Sequence, residues 1–136
     1  MREIDCATIA QSVEKLCIQA CCVQTDDIKA AFKKAQERET SPLGQSILGK
    51  LVENGKISEQ TLVPICQDTG LAVVFVEIGQ DVRITGGYIE DAINEGVKNG
   101  YVNGYLRKSA VAEPLFERKN TTNNTPAIIH TRIVKG

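Results

Sequence analysis

The segment "PICQDTG", residues 64–70, sets a thiol, an amide and a carboxylate side by side at Cys66, Gln67 and Asp68. A thiolate serves as nucleophile or metal ligand, a carboxylate can move a proton, and an amide both donates and accepts hydrogen bonds. Pro64 biases Val63 toward extended backbone and Gly70 permits a positive φ, so the trio reads as a loop. Three roles for Cys66 follow. It is a metal or cluster ligand with acid–base chemistry beside it, a nucleophile, or part of a structural turn in which Asp68 bonds local backbone. A nucleophile needs a base, and the one histidine, His130, lies far along the chain.

The remaining cysteines are Cys6, Cys17, Cys21 and Cys22. An odd total of 5, no CxxC and an N-terminus without the apolar core of a leader argue against a disulfide framework. Cys17 and Cys21 are four apart and would share a helix face. A metal there would need two further ligands, so small buried hydrophobes are the simpler reading.

Bulk properties narrow the function classes. The 136 residues are 42% hydrophobic and 24% charged, which suits one globular domain or a piece of a larger chain. A net charge of −1 carries no electrostatic footprint for nucleic acid or an anionic membrane. No apolar run approaches the roughly 18 residues of a membrane span, so the expectation is a cytoplasmic protein with no membrane or nucleic-acid partner.

The elements that must position Cys66 begin with helices. Residues 4–23 carry Ile9, Val13, Leu16, Ala20 and Val23 at helical spacing. A second helix follows Thr25 as N-cap, with Asp26 and Asp27 at its positive end and an apolar stripe of Ile28, Ala31, Phe32 and Ala35. A third starts at Ser41-Pro42, turns Ile47, Leu48, Leu51 and Val52 inward, and stops at Asn54-Gly55. "LAVVFVEIG" (71–79) reads as a buried strand. Helical spacing returns over 88–104 through Ile89, Ile93, Val97 and Tyr101. "AIIHTRIVKG" (127–136) reads as a strand with Ile129, Thr131 and Ile133 on one face and His130 and Arg132 on the other. The fold class is α+β, a mostly helical first half and then a small sheet with a helix between its strands. Strand direction is not readable.

The helix at 88–104 repeats Ala92, Gly96, Gly100 and Gly104 every four residues. Each interior glycine costs about 1 kcal/mol relative to alanine. Either a backbone or cofactor approaches this ridge closely, or the helix is weak and breaks near Gly100 or Gly104. Arg107 follows the last glycine closely.

Three ordered segments resemble one family. "PICQDTG", then "GGYIEDAINEGVKNGYVNGYLRKSAV", then "NNTPAIIHTRIVKG" are similar to the α-subunit or N-terminal region of the iron–sulfur (class I) fumarate hydratases and the related L-tartrate dehydratases. "SPLGQSILGKLVENGKI" extends the similarity toward the chain start. The resemblance implies that Cys66 is one of three cysteine ligands of a [4Fe–4S] cluster with one open iron. It further implies that Gln67 and Arg107 bind the substrate and that Asp68 takes part in proton transfer. The implied reaction is hydration of fumarate to L-malate. The alternatives are dehydration of tartrate to oxaloacetate, or a non-catalytic assembly module that kept the fold.

Here the chain departs from the family pattern. No cysteine follows residue 66, and the earlier cysteines match no ligand motif. The expectation is therefore the N-terminal portion of an α-subunit, a single domain over 1–136. Alone it would hold no stable cluster and be inactive. Its partner would be a β-subunit or C-terminal domain, within an oligomer acting on a small dicarboxylate.

Overall fold

The computed structural model describes residues 2–136. Eight elements run in the order β1 (Arg2–Asp5), α1 (Cys6–Cys22), α2 (Asp26–Arg38), α3 (Pro42–Thr61), β2 (Val73–Gly79), β3 (Val82–Thr85), α4 (Ile89–Asn103) and β4 (Ile128–Val134). The fold is α+β. Its strands form two parallel pairs, β1 with β3 and β2 with β4. In the second pair Val73 lies opposite Ile128 and Gly79 opposite Val134. Parallel pairing requires a crossover, and α4 lies on the connection that provides it.

Local chemistry explains most boundaries. Asp5 caps α1 by accepting from the Ala7 amide at 2.8 Å, so residues 2–5 form a strand and not the first helical turn. Ser41 caps α3, with Pro42 in its first turn. Thr25 holds the N-cap position of α2 without a side-chain cap bond. α3 does not stop at Asn54-Gly55 but runs to Thr61 and ends on Leu62, at φ 53°. The reason is packing. Gly55 is buried where the Gln24 amide comes within 2.7 Å of the place a Cβ would occupy. The Asn54 side chain reaches across to the Ile65 carbonyl (2.9 Å) and caps nothing.

The core lies between α1, α4 and the inner face of the β2–β4 sheet. Val13, Ala72, Ile93, Val97, Tyr101 and Leu106 are its buried members, with Val74, Val76 and Ile129 packed against them. Cys6 and Cys22 are buried, and Cys17 and Cys21 lie against the same cluster, so these thiols serve as small apolar groups. Leu16, expected inside, is 60% exposed because α1 turns Cys6, Ala10 and Val13 inward instead.

The glycine ridge has a use. A Cβ on Gly96 would sit 2.5 Å from the Ala10 carbonyl oxygen and 2.7 Å from the Val13 Cβ. One on Gly100 would meet the Cys17 Cβ at 2.7 Å, and one on Gly104 the Ile18 Cγ1 at 2.7 Å. The close neighbour is therefore another helix, α1, and α4 ends at Asn103 with Gly104 as its C-cap.

The outer helices differ from expectation. α2 has no buried residue, and in α3 Leu48 and Val52 are half-buried while Ile47 and Leu51 are exposed. These two helices pack on each other, and α3 meets the end of α1, where Ser58 Oγ lies 2.9 Å from the Cys22 carbonyl oxygen. Their far faces have no cover within the described residues. No described helix is long and apolar enough to cross a membrane.

The ridge gives a sign test. In Gly96→Ala the new methyl meets backbone, an overpacking cost of about 1–3 kcal/mol that outweighs the roughly 1 kcal/mol of helix propensity recovered. Gly49→Ala in α3 meets nothing within 4 Å and should recover that propensity, about 0.5–1 kcal/mol. Urea denaturation should show the first variant less stable than the parent and the second more stable.

Candidate functional site

Residues 65–70 are pinned at both ends and exposed in the middle. At the entry, Ile65 N donates to the Cys21 carbonyl at 3.0 Å, and Asn54 Nδ2 donates to the Ile65 carbonyl at 2.9 Å. The single proton of Ser58 Oγ is shared between the Val63 and Cys22 carbonyls. At the exit, the Tyr101 hydroxyl lies 3.0 Å from the Thr69 carbonyl oxygen and 3.3 Å from that of Gly70, one proton shared between two acceptors. Asn124 Nδ2 donates to the Gly70 carbonyl at 3.0 Å. Gly70 turns the chain at φ 60°. Ala72 is then buried, and its carbonyl accepts from Ile128 N at the mouth of the sheet. Between these anchors Cys66, Gln67 and Asp68 are all exposed.

Arg107 arrives from the other side. Tyr105 leaves α4 at φ 54°, Leu106 drops into the core, and Arg107 emerges exposed. Its carbonyl accepts from Thr69 Oγ1 at 2.8 Å, which stitches its backbone to the loop. Val63, Pro64, Cys66, Gln67, Tyr105 and Arg107 together line an open cleft of about 570 Å³. That volume suits a small ligand. The wall offers one cation, one amide and one thiol against an apolar surround, an arrangement suited to an anionic ligand.

Each expected site residue has a definite place. Cys66, Gln67 and Arg107 share the cleft. Asp68 stands on the same loop but does not line it; its carbonyl receives a long contact of 3.8 Å from Cys66 Sγ. His130 stacks on Phe75, ring centroids 5.0 Å apart, and does not line the cleft, so nothing here pairs it with Cys66 as a base. The loop residues missed in the sequence reading are Tyr101, Asn124, Thr69 and Asn54. The ring of Tyr101 belongs to the apolar face of α4, and its hydroxyl touches the loop. The only signal for Asn124 was its position in a polar run before a proline.

Two pKa shifts matter to this packing. Burial pushes the Cys17 thiol up to about 11, with Cys21 adding to the effect. Burial likewise pushes the Tyr101 phenol up to about 12, with Cys21 and Cys17 contributing, so the hydroxyl keeps the proton it donates to the loop.

The exposed Cys66 thiol, held only by its long contact to the Asp68 carbonyl, is available as a ligand. Among the described residues there is no group of three or more His, Cys, Asp or Glu placed to hold a metal ion. The site as built can therefore give one corner to a metal centre, but not enclose one.

A loop carrying a free thiol, with an arginine lining the same small cleft on an α+β scaffold, is the geometry to set beside known proteins. Residues 10–136 match the family described as Fumarate hydratase (Fumerase), and the chain belongs to that family. It is 36% identical over 124 residues to a Methanocaldococcus jannaschii protein provisionally named L(+)-tartrate dehydratase subunit alpha, covering 88% of this chain and 43% of the relative. Against the anaerobic class I fumarate hydratase of Escherichia coli K12 it is 34% identical over 99 residues, 72% of this chain and 18% of the relative. Against the L(+)-tartrate dehydratase subunit alpha of the same strain it is 30% identical over 100 residues, 74% of this chain and 32% of the relative. The chain thus spans less than half the length of these relatives.

The raised thiol and phenol predict an alkaline dependence. Both groups hold their protons more tightly folded than unfolded, so their contribution is complete below the ordinary thiol value of 9.0. It is lost as pH rises toward about 11 for Cys17 and about 12 for Tyr101. Urea midpoints should fall between pH 9 and 11, and Cys17→Ala should make that fall shallower. An unchanged slope in the variant would contradict the assignment.

Proposed function

We propose that this chain is one domain, the N-terminal portion of the α-subunit, of an iron–sulfur hydro-lyase that reversibly hydrates fumarate to L-malate. The observation that carries the reading is the cleft. Cys66 and Gln67, on a loop anchored at both ends, line it together with Arg107, in a chain of this family.

Hydration adds a proton to one carbon of a double bond and a hydroxyl to the other. The carbon that exchanges the proton lies beside a carboxylate, so negative charge develops there. Arg107 can grip that carboxylate with two parallel N–H donors and stabilise the charge as it builds. Gln67 can donate to one oxygen of the substrate and accept from its hydroxyl, which distinguishes a hydroxy acid from a plain one. Asp68, on the exposed span, can hold and release the hydroxyl proton if the assembled enzyme closes over it. Cys66 would be one of three cysteine ligands of a [4Fe–4S] cluster. When bound, that cluster supplies a Lewis acid that eases departure of hydroxide or entry of water.

On this reading the other two ligands, and the base on the opposite face of the substrate, lie outside these 136 residues. A β-subunit or C-terminal domain is the proposed source. Relatives of greater length, two of them named as alpha subunits, support this. So do the exposed apolar residues: Val73 and Phe75 on the outer face of a parallel sheet, a face usually covered, and Leu43, Ile47 and Leu51 on α3. By itself the chain would hold no stable cluster and show no activity. We place the assembly in the cytoplasm, as an oligomer.

The second reading keeps the chemistry and changes the substrate to tartrate. The 36% identical relative, whose match covers most of this chain, favours it. Both substrates are four-carbon dicarboxylates, and the residues present suit either.

Assay of the complete enzyme with fumarate, L-malate and tartrate separates the two, the leading reading requiring the higher kcat/KM on fumarate. Arg107→Lys should lower kcat/KM on the preferred substrate about 10–100-fold, the loss of a charge-assisted bidentate contact. Wild-type kcat/KM in that variant would remove Arg107 from the site.

A further inference from the structure

We propose that Asn124 is a positioning residue that sets the separation between the Cys66–Asp68 loop and Arg107. This rests on the reading of Gln67, Asp68 and Arg107 as groups that handle one dicarboxylate. Asn124 is fully buried, at 0% exposure, 14 residues from Ala110 and 54 from Gly70. Its side chain nevertheless touches each. Oδ1 accepts from Ser109 N at 2.7 Å and Ala110 N at 2.8 Å, and Nδ2 donates to the Gly70 carbonyl at 3.0 Å. One rigid amide plane therefore spans from the segment just after Arg107 to the residue that closes the reactive loop.

The alternatives are weaker clamps. Thr69 Oγ1 to the Arg107 carbonyl is a single link through a rotatable hydroxyl, and the Tyr101 proton is shared between two carbonyls. Asn124 makes directional bonds at both ends of a planar group, and no described buried side-chain N or O atom is left unpaired. A residue with φ 61° held this way is fixed by its surroundings. A dicarboxylate gripped at one end by Arg107 and at the other by Gln67 gains from both contacts only while their spacing is constant, and a displacement of about 1 Å can cost about 10²-fold in rate.

Asn124→Asp cuts one side of this bridge. The acid still accepts from Ser109 N and Ala110 N, but an ionised carboxylate cannot donate to the Gly70 carbonyl. Backbone ¹⁵N relaxation on the 136-residue chain reads the result without any reaction. Order parameters at residues 66–70 should fall from about 0.85 to below about 0.6, while those of α4 and residues 109–110 hold. Loop values that stay at the parent level would overturn the proposal. If that variant does not fold, Tyr101→Phe with Thr69→Val removes the parallel links and leaves Asn124 in place. The loop should then remain ordered, and a disordered loop would overturn the proposal. In the complete enzyme Asn124→Asp should raise KM for the dicarboxylate at least about tenfold, with a smaller change in kcat. An unchanged KM would count against the positioning role. A parent enzyme with no hydro-lyase activity would instead defeat the functional reading and leave the relaxation result standing.

Discussion

The close approach of α1 and α4 is the constraint on which the rest depends. Gly96, Gly100 and Gly104 leave α4 without side chains along one ridge, and the backbone and Cβ atoms of α1 fill that space. Ridges of residues four apart are the commonest way two helices interlock. The contact seats Val13 against Ile93 and Val97, and the same packing buries Tyr101 one turn further on. Tyr101 then reaches the loop through its hydroxyl. The end of α4 at Gly104 releases Leu106 into the core and Arg107 to the cleft. The helix that looks weak in isolation is therefore the part that carries core packing to the site.

The site inherits its geometry from that scaffold and keeps its reactive groups free. Hydrogen bonds hold residues 65, 69 and 70, whereas Cys66, Gln67 and Asp68 project between them. Such a loop, rigid at its ends and open at its centre, suits groups that must meet a ligand and a partner surface. Polar side chains bear much of the load. Ser58, Tyr101 and Asn124 each bond a buried or part-buried main-chain carbonyl, and Asn54 bonds an exposed one. Surface ion pairs contribute little beside this. Lys29–Glu59 at 2.8 Å is partly exposed and joins only α2 to α3.

Much of this was legible in the residues. The 3.6 period placed all four helices, and the β-branched run at 71–79 and the alternation at 127–136 placed the two longer strands. Residues 71–79 are not buried on both faces as expected: Val73 and Phe75 are exposed because nothing among the described residues covers the outer face of the sheet. The faces of β4 follow that alternation, with His130 beside Phe75 and Arg132 beside Glu77 across the ladder. β1 and β3 escaped because four-residue strands such as "REID" and "VRIT" carry no period long enough to read. Parallel pairing escaped because it is settled by contacts distant in sequence. Asn54-Gly55 misled because a turn dipeptide and a close-packing dipeptide look alike until the neighbour, here Gln24, is known. The exposure of α2 and α3 was hidden for a related reason, since an apolar stripe does not reveal whether anything covers it. Chemistry and resemblance single out Cys66, Gln67, Asp68 and Arg107, of which Cys66, Gln67 and Arg107 share one cleft, but the amide and phenol that bond the Thr69 and Gly70 carbonyls look like filler until their partners are in view.

The proposed role of Cys66 is to offer one corner of a cluster whose other ligands lie on a partner. Anaerobic reconstitution of the complete enzyme, read as iron per site and the visible spectrum, tests it most directly. The parent should load a stoichiometric [4Fe–4S] cluster, Cys66→Ser in the same assembly should not, and this chain alone should not. A full cluster in the variant, or in the isolated chain, would contradict the account.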